Sequence, residues 1–244
     1  MNLPDRWRGV FAKNVSIRVV DEEIYSVLSD STRIHLYDRR AAIYDLVVGT
    51  SLYNRVAWGA SLSDYLSFAQ RAVASGRDMM LDAGCGSLLF TAEAYLDCKR
   101  PVVACDQSLE MLRRAKARLI KLAGRKPDHI LLLQADLSEL PFRLACFQTI
   151  LCMNVLHHIA DARALLADLE TLLVDRGELY VTSLVKSSSV IGDWYLERLY
   201  SRGDFVRPRT AVEFRNLLDS SARHRVAFFT TGNMAFATVT ATTK

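Results

Sequence analysis

Apolar and polar positions follow two rhythms along this chain. From residue 78 onward, short apolar runs that end in an acid or amide alternate with longer stretches in which apolar residues recur every three or four positions. The short runs predict buried parallel strands over 78–83, 101–105, 129–135, 147–153 and from Gly177 through Val185. The longer stretches predict helices. One covers 88–96, with Leu88, Leu89, Ala92 and Tyr95 or Leu96 on one side. A second is capped by Ser108, carries Leu109, Leu112, Ala115, Leu119 and Leu122 on one face, and closes at Gly124. A third opens at Asp161 and runs through Leu165, Leu166, Leu169 and Leu173. Strands alternating with helices at this spacing indicate an α/β fold, a parallel sheet with helices on both faces.

The two ends break the rhythm. At the C-terminal side, 190–200 and 210–218 read as helices, and 225–230 and 234–240 as strands joined by Gly232-Asn233, an antiparallel closing hairpin. At the N-terminal side, 11–20 suggests a short strand, because Val15, Ile17 and Val19 alternate, and 21–28 a short helix. Residues 31–76 read as helical and aromatic-rich. Ser31 caps a helix through Ile34, Tyr37, Ala41 and Tyr44; Gly49-Thr50-Ser51 breaks it; Ser63 caps another over 64–74. The expected organisation is a helical segment over 1–76 packed onto a core over 77–244.

Composition narrows the classes. The chain has 244 residues, half of them hydrophobic and only five proline, which suits one large folded domain. A formal charge of +4 is mild, and the basic residues are scattered apart from pairs such as Arg39-Arg40 and Arg113-Arg114. Arg113, Arg114, Lys116, Arg118 and Lys121 read as the solvated side of an amphipathic helix, so no nucleic-acid partner is expected. The five cysteines are odd in number and lack C-x-x-C spacing, which argues for reduced thiols, no zinc site and a cytoplasmic setting. No apolar run follows Arg6, Arg8 and Lys13, and none is long enough to span a bilayer, so neither a signal peptide nor integral membrane association is expected.

The chemistry concentrates at the strand ends. Met79-Met80-Leu81-Asp82-Ala83-Gly84-Cys85-Gly86-Ser87 is a strand running into a glycine turn. Glycines there let a ligand approach the backbone. A dinucleotide site has a third glycine, where this chain has Leu89, and the acid Asp82 would repel a pyrophosphate. The next strands end in Asp106-Gln107, Asp136-Leu137 and Asn154. Ligands of open α/β sheets bind beyond those ends. Three like charges gathered there do not help folding, but a nucleoside with a cationic centre accounts for them. Asp106 lies 20 residues after Gly86, the spacing of an acid that accepts ribose hydroxyls.

The acid followed by G-x-G resembles motif I of the class I S-adenosylmethionine (SAM)-dependent methyltransferases. Tyr37-Asp38-Arg39-Arg40-Ala41-Ala42-Ile43-Tyr44-Asp45 resembles the segment before that motif in the ubiquinone/menaquinone-biosynthesis type, and Asn154-Val155-Leu156-His157-His158-Ile159 the x-x-L-H-H stretch of small-molecule members. The chain departs from the family at Leu88, where a third glycine is common. The resemblance implies a Rossmann-like, doubly wound, seven-stranded sheet, mostly parallel with an antiparallel C-terminal hairpin strand, and a helical N-terminal lid. It implies SAM as cofactor, S-adenosylhomocysteine as product and a small-molecule acceptor. Implied cofactor contacts are Asp82, Ala83, Gly84, Gly86, Asp106, Gln107, Asp136, Leu137, Asn154 and Tyr44. Asp82 would face the ammonium and sulfonium end, and Asp136 and Leu137 the adenine. Tyr44, with Tyr37 second, either contacts cofactor or substrate or packs a helix onto the core. His157 or His158 is a candidate general base; the other reading has one orienting the loop and the other partly buried. The chain lacks the [Asn/Asp]-Pro-Pro-aromatic motif of amino-group methylases. Aromatics of the N-terminal segment and of 194–200 are expected to line a pocket for an apolar, ring-bearing or lipid-like acceptor. The expected activity is methyl transfer to oxygen or carbon; its alternatives are a SAM-binding protein with a regulatory or non-methylating role and a dinucleotide-dependent reductase.

Overall fold

The computed structural model describes residues 3–29, 50, 53–187, 189–219 and 224–241. The predicted strands appear as β3 (Met80–Ala83), β4 (Val102–Asp106), β5 (Ile130–Gln134), β6 (Phe147–Met153) and β7 (Leu173–Leu184), all parallel to their neighbours among these five. The hairpin is β8 (His224–Thr231) and β9 (Met234–Ala241), with β9 antiparallel to β7. Every residue of β3 is buried, as expected of a strand covered on both faces.

With two further strands, β1 (Arg18–Asp21) and β2 (Ile24–Ser26), the sheet among the described residues has nine strands in the order β1-β2-β5-β4-β3-β6-β7-β9-β8, against the seven expected. β1 lies at the end of the strand expected over 11–20, β2 falls where a helix over 21–28 was predicted, and the two form a hairpin. The turn places Glu23 at φ +60°, outside helical geometry. β2 then pairs parallel with β5 and buries all three of its residues.

Helices cover both faces. One side carries α1 (Asp5–Arg8), α5 (Ala162–Leu172) and α7 (Ala211–Leu218), whose buried residues join Leu81, Val103, Ile150 and Val181 of the sheet. The other carries α2 (Leu62–Ala74), α3 (Ala92–Leu96), α4 (Leu109–Ala123) and α6 (Val190–Ser201), packed on Met80, Val102, Leu132 and Phe236. Local chemistry sets several ends. Ser108 accepts the Met111 N–H and Gly124 closes α4 at φ +76°. Ser61, not Ser63, caps α2, because only Ser61 forms the reciprocal capping box with Asp64. The helix expected over 88–96 begins only at Ala92, since Leu88 adopts φ +54°. Among the described residues, no helix is long and apolar enough to cross a membrane. Tyr37 and Tyr44 lie outside the described residues.

Phe236 ties the antiparallel edge to the helical layer. It is fully buried, stacks on Phe229 at 4.9 Å between centroids, and meets Phe68 of α2 at 5.2 Å. Phe236→Ala is expected to lower unfolding stability by about 3–5 kcal/mol, read as a drop in the urea midpoint.

Candidate functional site

The carboxyl ends of β3, β4, β5 and β6 meet at one cleft, lined by Asp82, Gly84 and Gly86, by Asp106, Gln107 and Ser108, by Asp136 and Leu137, and by Asn154 to Val155 with His158 and Ile159. Among the described residues its lining contains three aspartates and no lysine or arginine, in a chain whose net charge is +4.

The turn after β3 is built on glycine. Gly84 sits at φ +78°, and a Cβ there would lie 2.5 Å from Val155 Cγ2. Gly86 sits at φ +52° with no heavy atom within 4 Å of where a Cβ would be. The first glycine therefore permits close packing of the next loop, and the second leaves its backbone open to a ligand. The N–H groups of Gly84 and Cys85 both donate to the Cys105 carbonyl at 2.9 Å, pinning the turn to β4. Ahead of the turn, Asp82 is 2% exposed. Its Oδ2 accepts the Tyr95 phenol at 2.8 Å and the Thr91 hydroxyl at 3.4 Å. Burial pushes its pKa up to about 7 despite both bonds, and Asp106 adds to the rise.

Asp106 closes the β4 end. One oxygen accepts the Gly86 N–H and the other the Ser108 N–H, each at 2.9 Å. Asp136 is held in the same manner at the β5 end: Gln107 Nε2 donates to Oδ2 at 2.7 Å, and the Ser138 N–H and hydroxyl both donate to Oδ1 at 2.8 Å. Leu137 follows on the cleft wall, and Met111, Met153, Val155 and Ile159 extend the apolar surface around the acids.

Asn154 ends β6 in the left-handed region at φ +58°. Its side-chain oxygen accepts the Thr182 hydroxyl at 3.0 Å, and its N–H donates back to Thr182. The two histidines beyond it separate. His157 is buried, does not line the cleft, and accepts the Leu184 N–H through Nδ1 at 3.4 Å. Burial, then His158 and Arg209, hold its pKa well below the ordinary value. His158 does line the cleft, and its Nδ1 donates to the Asp204 carbonyl at 3.2 Å, which leaves the lone pair on Nε2. Phe205 packs edge-on against both rings, at 4.6 and 4.9 Å. Burial lowers the His158 pKa to about 4, against a small upward pull from Asp204.

The structure thus gathers Asp82, Gly84, Gly86, Asp106, Gln107, Asp136, Leu137, Asn154 and His158 around one cleft. Ala83 is buried beside it without lining it, and Tyr44 is not among the described residues. The aromatics of 194–200 are corrected: they do not line the cleft. Trp194 is 62% exposed and Tyr200 45%, while Tyr195 stacks on Trp58 at 5.2 Å. The helix turns these side chains outward or onto the 53–58 segment. Sequence reasoning missed Thr91 and Tyr95 as partners of Asp82. Their i, i+4 spacing was the available signal, masked because Tyr95 also fits the apolar stripe.

Residues 81–181 match the protein family described as "Methyltransferase domain". The chain is 30% identical over 155 residues to the ubiquinone biosynthesis O-methyltransferase of Xylella fastidiosa (strain 9a5c), covering 59% of this chain and 60% of the relative. The chain spans about three fifths of the length of the curated relatives it matches. Among solved structures, the phosphoethanolamine N-methyltransferase 2 of Haemonchus contortus, in complex with S-adenosylhomocysteine, aligns at TM-score 0.64 with 14% identity, covering 85% of this chain and 58% of that one. Geranyl diphosphate C-methyltransferase from Streptomyces coelicolor A3(2), also in complex with S-adenosylhomocysteine, aligns at 0.59 with 12% identity, covering 74% and 77%. At those identities the likeness is one of fold.

The histidine geometry has a spectroscopic consequence. His158 is expected to titrate by NMR with a midpoint of about 4, whereas a solvated imidazole titrates near about 6.5. Between those values the unfolded chain binds the proton and the fold does not, so His158 removes stability as pH falls. The stability of wild type relative to His158→Gln is therefore expected to decline from pH 6.5 toward 4; an ordinary midpoint would contradict the half-buried placement at the cleft wall.

Proposed function

We propose that the chain is a class I SAM-dependent methyltransferase that transfers the methyl group of SAM to an oxygen or carbon of a small, apolar or ring-bearing acceptor. The observation that carries this reading is the convergence of three strand-end acids and an open glycine turn on one cleft whose described lining holds no lysine or arginine. A dinucleotide pyrophosphate would meet repulsion there, while a ligand with ammonium and sulfonium centres would meet attraction.

The residues fit the cofactor in parts. Gly86 leaves room at the backbone, as close approach of the amino acid and ribose requires. Asp106, already fixed by two N–H bonds, is oriented to accept from ribose hydroxyls. Asp136 is placed for an exocyclic amine, with Leu137, Met111 and Ile159 as apolar surface for a ring. Asp82 sits deeper, on the side of the charged end. When bound, SAM supplies a methyl carbon made electrophilic by its positive sulfur. The protein's part is alignment and exclusion of water, and Met153, Val155 and Ile159 supply the apolar wall.

For an oxygen acceptor, His158 is the histidine of the pair that lines the cleft, where the acceptor hydroxyl would lie. With its pKa lowered to about 4, His158 is a weak base, suited to orienting a hydroxyl more than to removing its proton. His157 positions the loop. The name of the Xylella fastidiosa relative makes oxygens on ring-bearing compounds the first acceptors to screen. All five cysteines are free, which suits a reducing compartment such as the cytoplasm.

Calorimetric titration tests the reading. Wild type is expected to bind SAM in the micromolar range and to show no heat with NADH. Asp106→Ala is expected to weaken SAM binding by roughly tenfold or more, since hydrogen bonds to a charged group are lost. Binding of NADH, or of neither ligand, overturns the proposal.

A further inference from the structure

The carboxylate of Asp82 is held from one side only. Tyr95 is fully buried, and its phenol and the Thr91 hydroxyl both donate to Oδ2. Thr91 sits at the N-cap position of α3 and Tyr95 lies one turn on, so one short helix presents both donors. The Tyr95 backbone is itself anchored, its carbonyl lying 2.9 Å from His129 Nε2. Among the described residues no donor takes Oδ1, and Asp82 lines the cleft. Oδ1 is the oxygen left to a ligand.

Among the described residues no compensating cation bears on Asp82: Asp106 is the one charged group acting on it, and the nearby thiols of Cys85, Cys105 and Cys152 are kept protonated by burial. A cationic ligand is the missing partner of this carboxylate.

We propose that Tyr95, with Thr91, is a positioning residue that turns Oδ1 of Asp82 into the cleft to receive the ammonium group of the cofactor's amino-acid end. The proposal rests on the SAM reading above. It also couples binding to a proton. Near neutral pH part of the population carries Asp82 as the acid. Arrival of the ammonium favours the carboxylate, whose proton passes to solvent while the ammonium keeps its own.

The test compares two ligands on two proteins. S-adenosylhomocysteine carries the amino-acid end; methylthioadenosine keeps the nucleoside and lacks it. Tyr95→Phe is expected to weaken S-adenosylhomocysteine by roughly tenfold, the loss of one hydrogen bond to a charged group, and to leave methylthioadenosine unchanged. Wild-type affinity for S-adenosylhomocysteine is expected to rise as pH rises through about 7, and that inflection to move upward in the variant, because the phenol no longer favours the carboxylate. Equal losses for both ligands assign Tyr95 a structural role and overturn the proposal, as does an unchanged affinity for S-adenosylhomocysteine. Wild type binding neither ligand overturns the SAM reading itself, and the proposal with it. Thermal unfolding checks that the variant folds; Thr91→Val serves as a second variant, with a smaller loss in the same direction.

Discussion

One carboxylate joins two loops that lie far apart in the chain. Asp106 accepts the Gly86 N–H with one oxygen and the Ser108 N–H with the other. Bonds to a charged acceptor are stronger than neutral ones, about 1.5–3 kcal/mol each. They fasten the β3 turn, the β4 end and the start of α4 into one rim. The same Ser108 then caps α4 through the Met111 N–H. A ligand bound there meets a surface already in shape, and little ordering cost remains to be met on binding.

The rim works because the sheet brings its strand ends to one edge. β5, β4, β3, β6 and β7 run parallel, so each delivers its terminal side chain to the same side. The acids sit among Leu137, Met111, Met153 and Ile159. Keeping water away disfavours a bare charge, which lifts Asp82 to about 7, and strengthens the attraction of that charge for a cationic ligand. An acidic, apolar cleft inside a mildly basic chain selects by charge before it selects by shape.

Much of this was legible in the residues. Apolar runs ending in Asp82, Asp106, Asp136 and Asn154 announced four strands and the ends that meet at the cleft. Ser108 and Gly124 marked both ends of α4. The strand read over 11–20 ends in β1, but its partner β2 was not legible, because Asp21, Glu22 and Glu23 read as helical and the pairing that holds β2 is with β5, over a hundred residues away. His157 and His158 are adjacent in sequence, so only tertiary partners, Leu184 for one and Asp204 for the other, separate the buried ring from the one in the cleft. The aromatics of α6 misled for the same reason: their spacing is helical, but which face meets the cleft is decided by packing on Trp58.

The most direct measurement of the central claim is a crystal structure of the protein grown with S-adenosylhomocysteine. The account predicts the ribose on Asp106, the adenine between Leu137 and Met111 beside Asp136, and the amino-acid end over the Gly84–Gly86 turn toward Asp82. Ligand density elsewhere, or a pose that leaves Asp106 without contact, would contradict it.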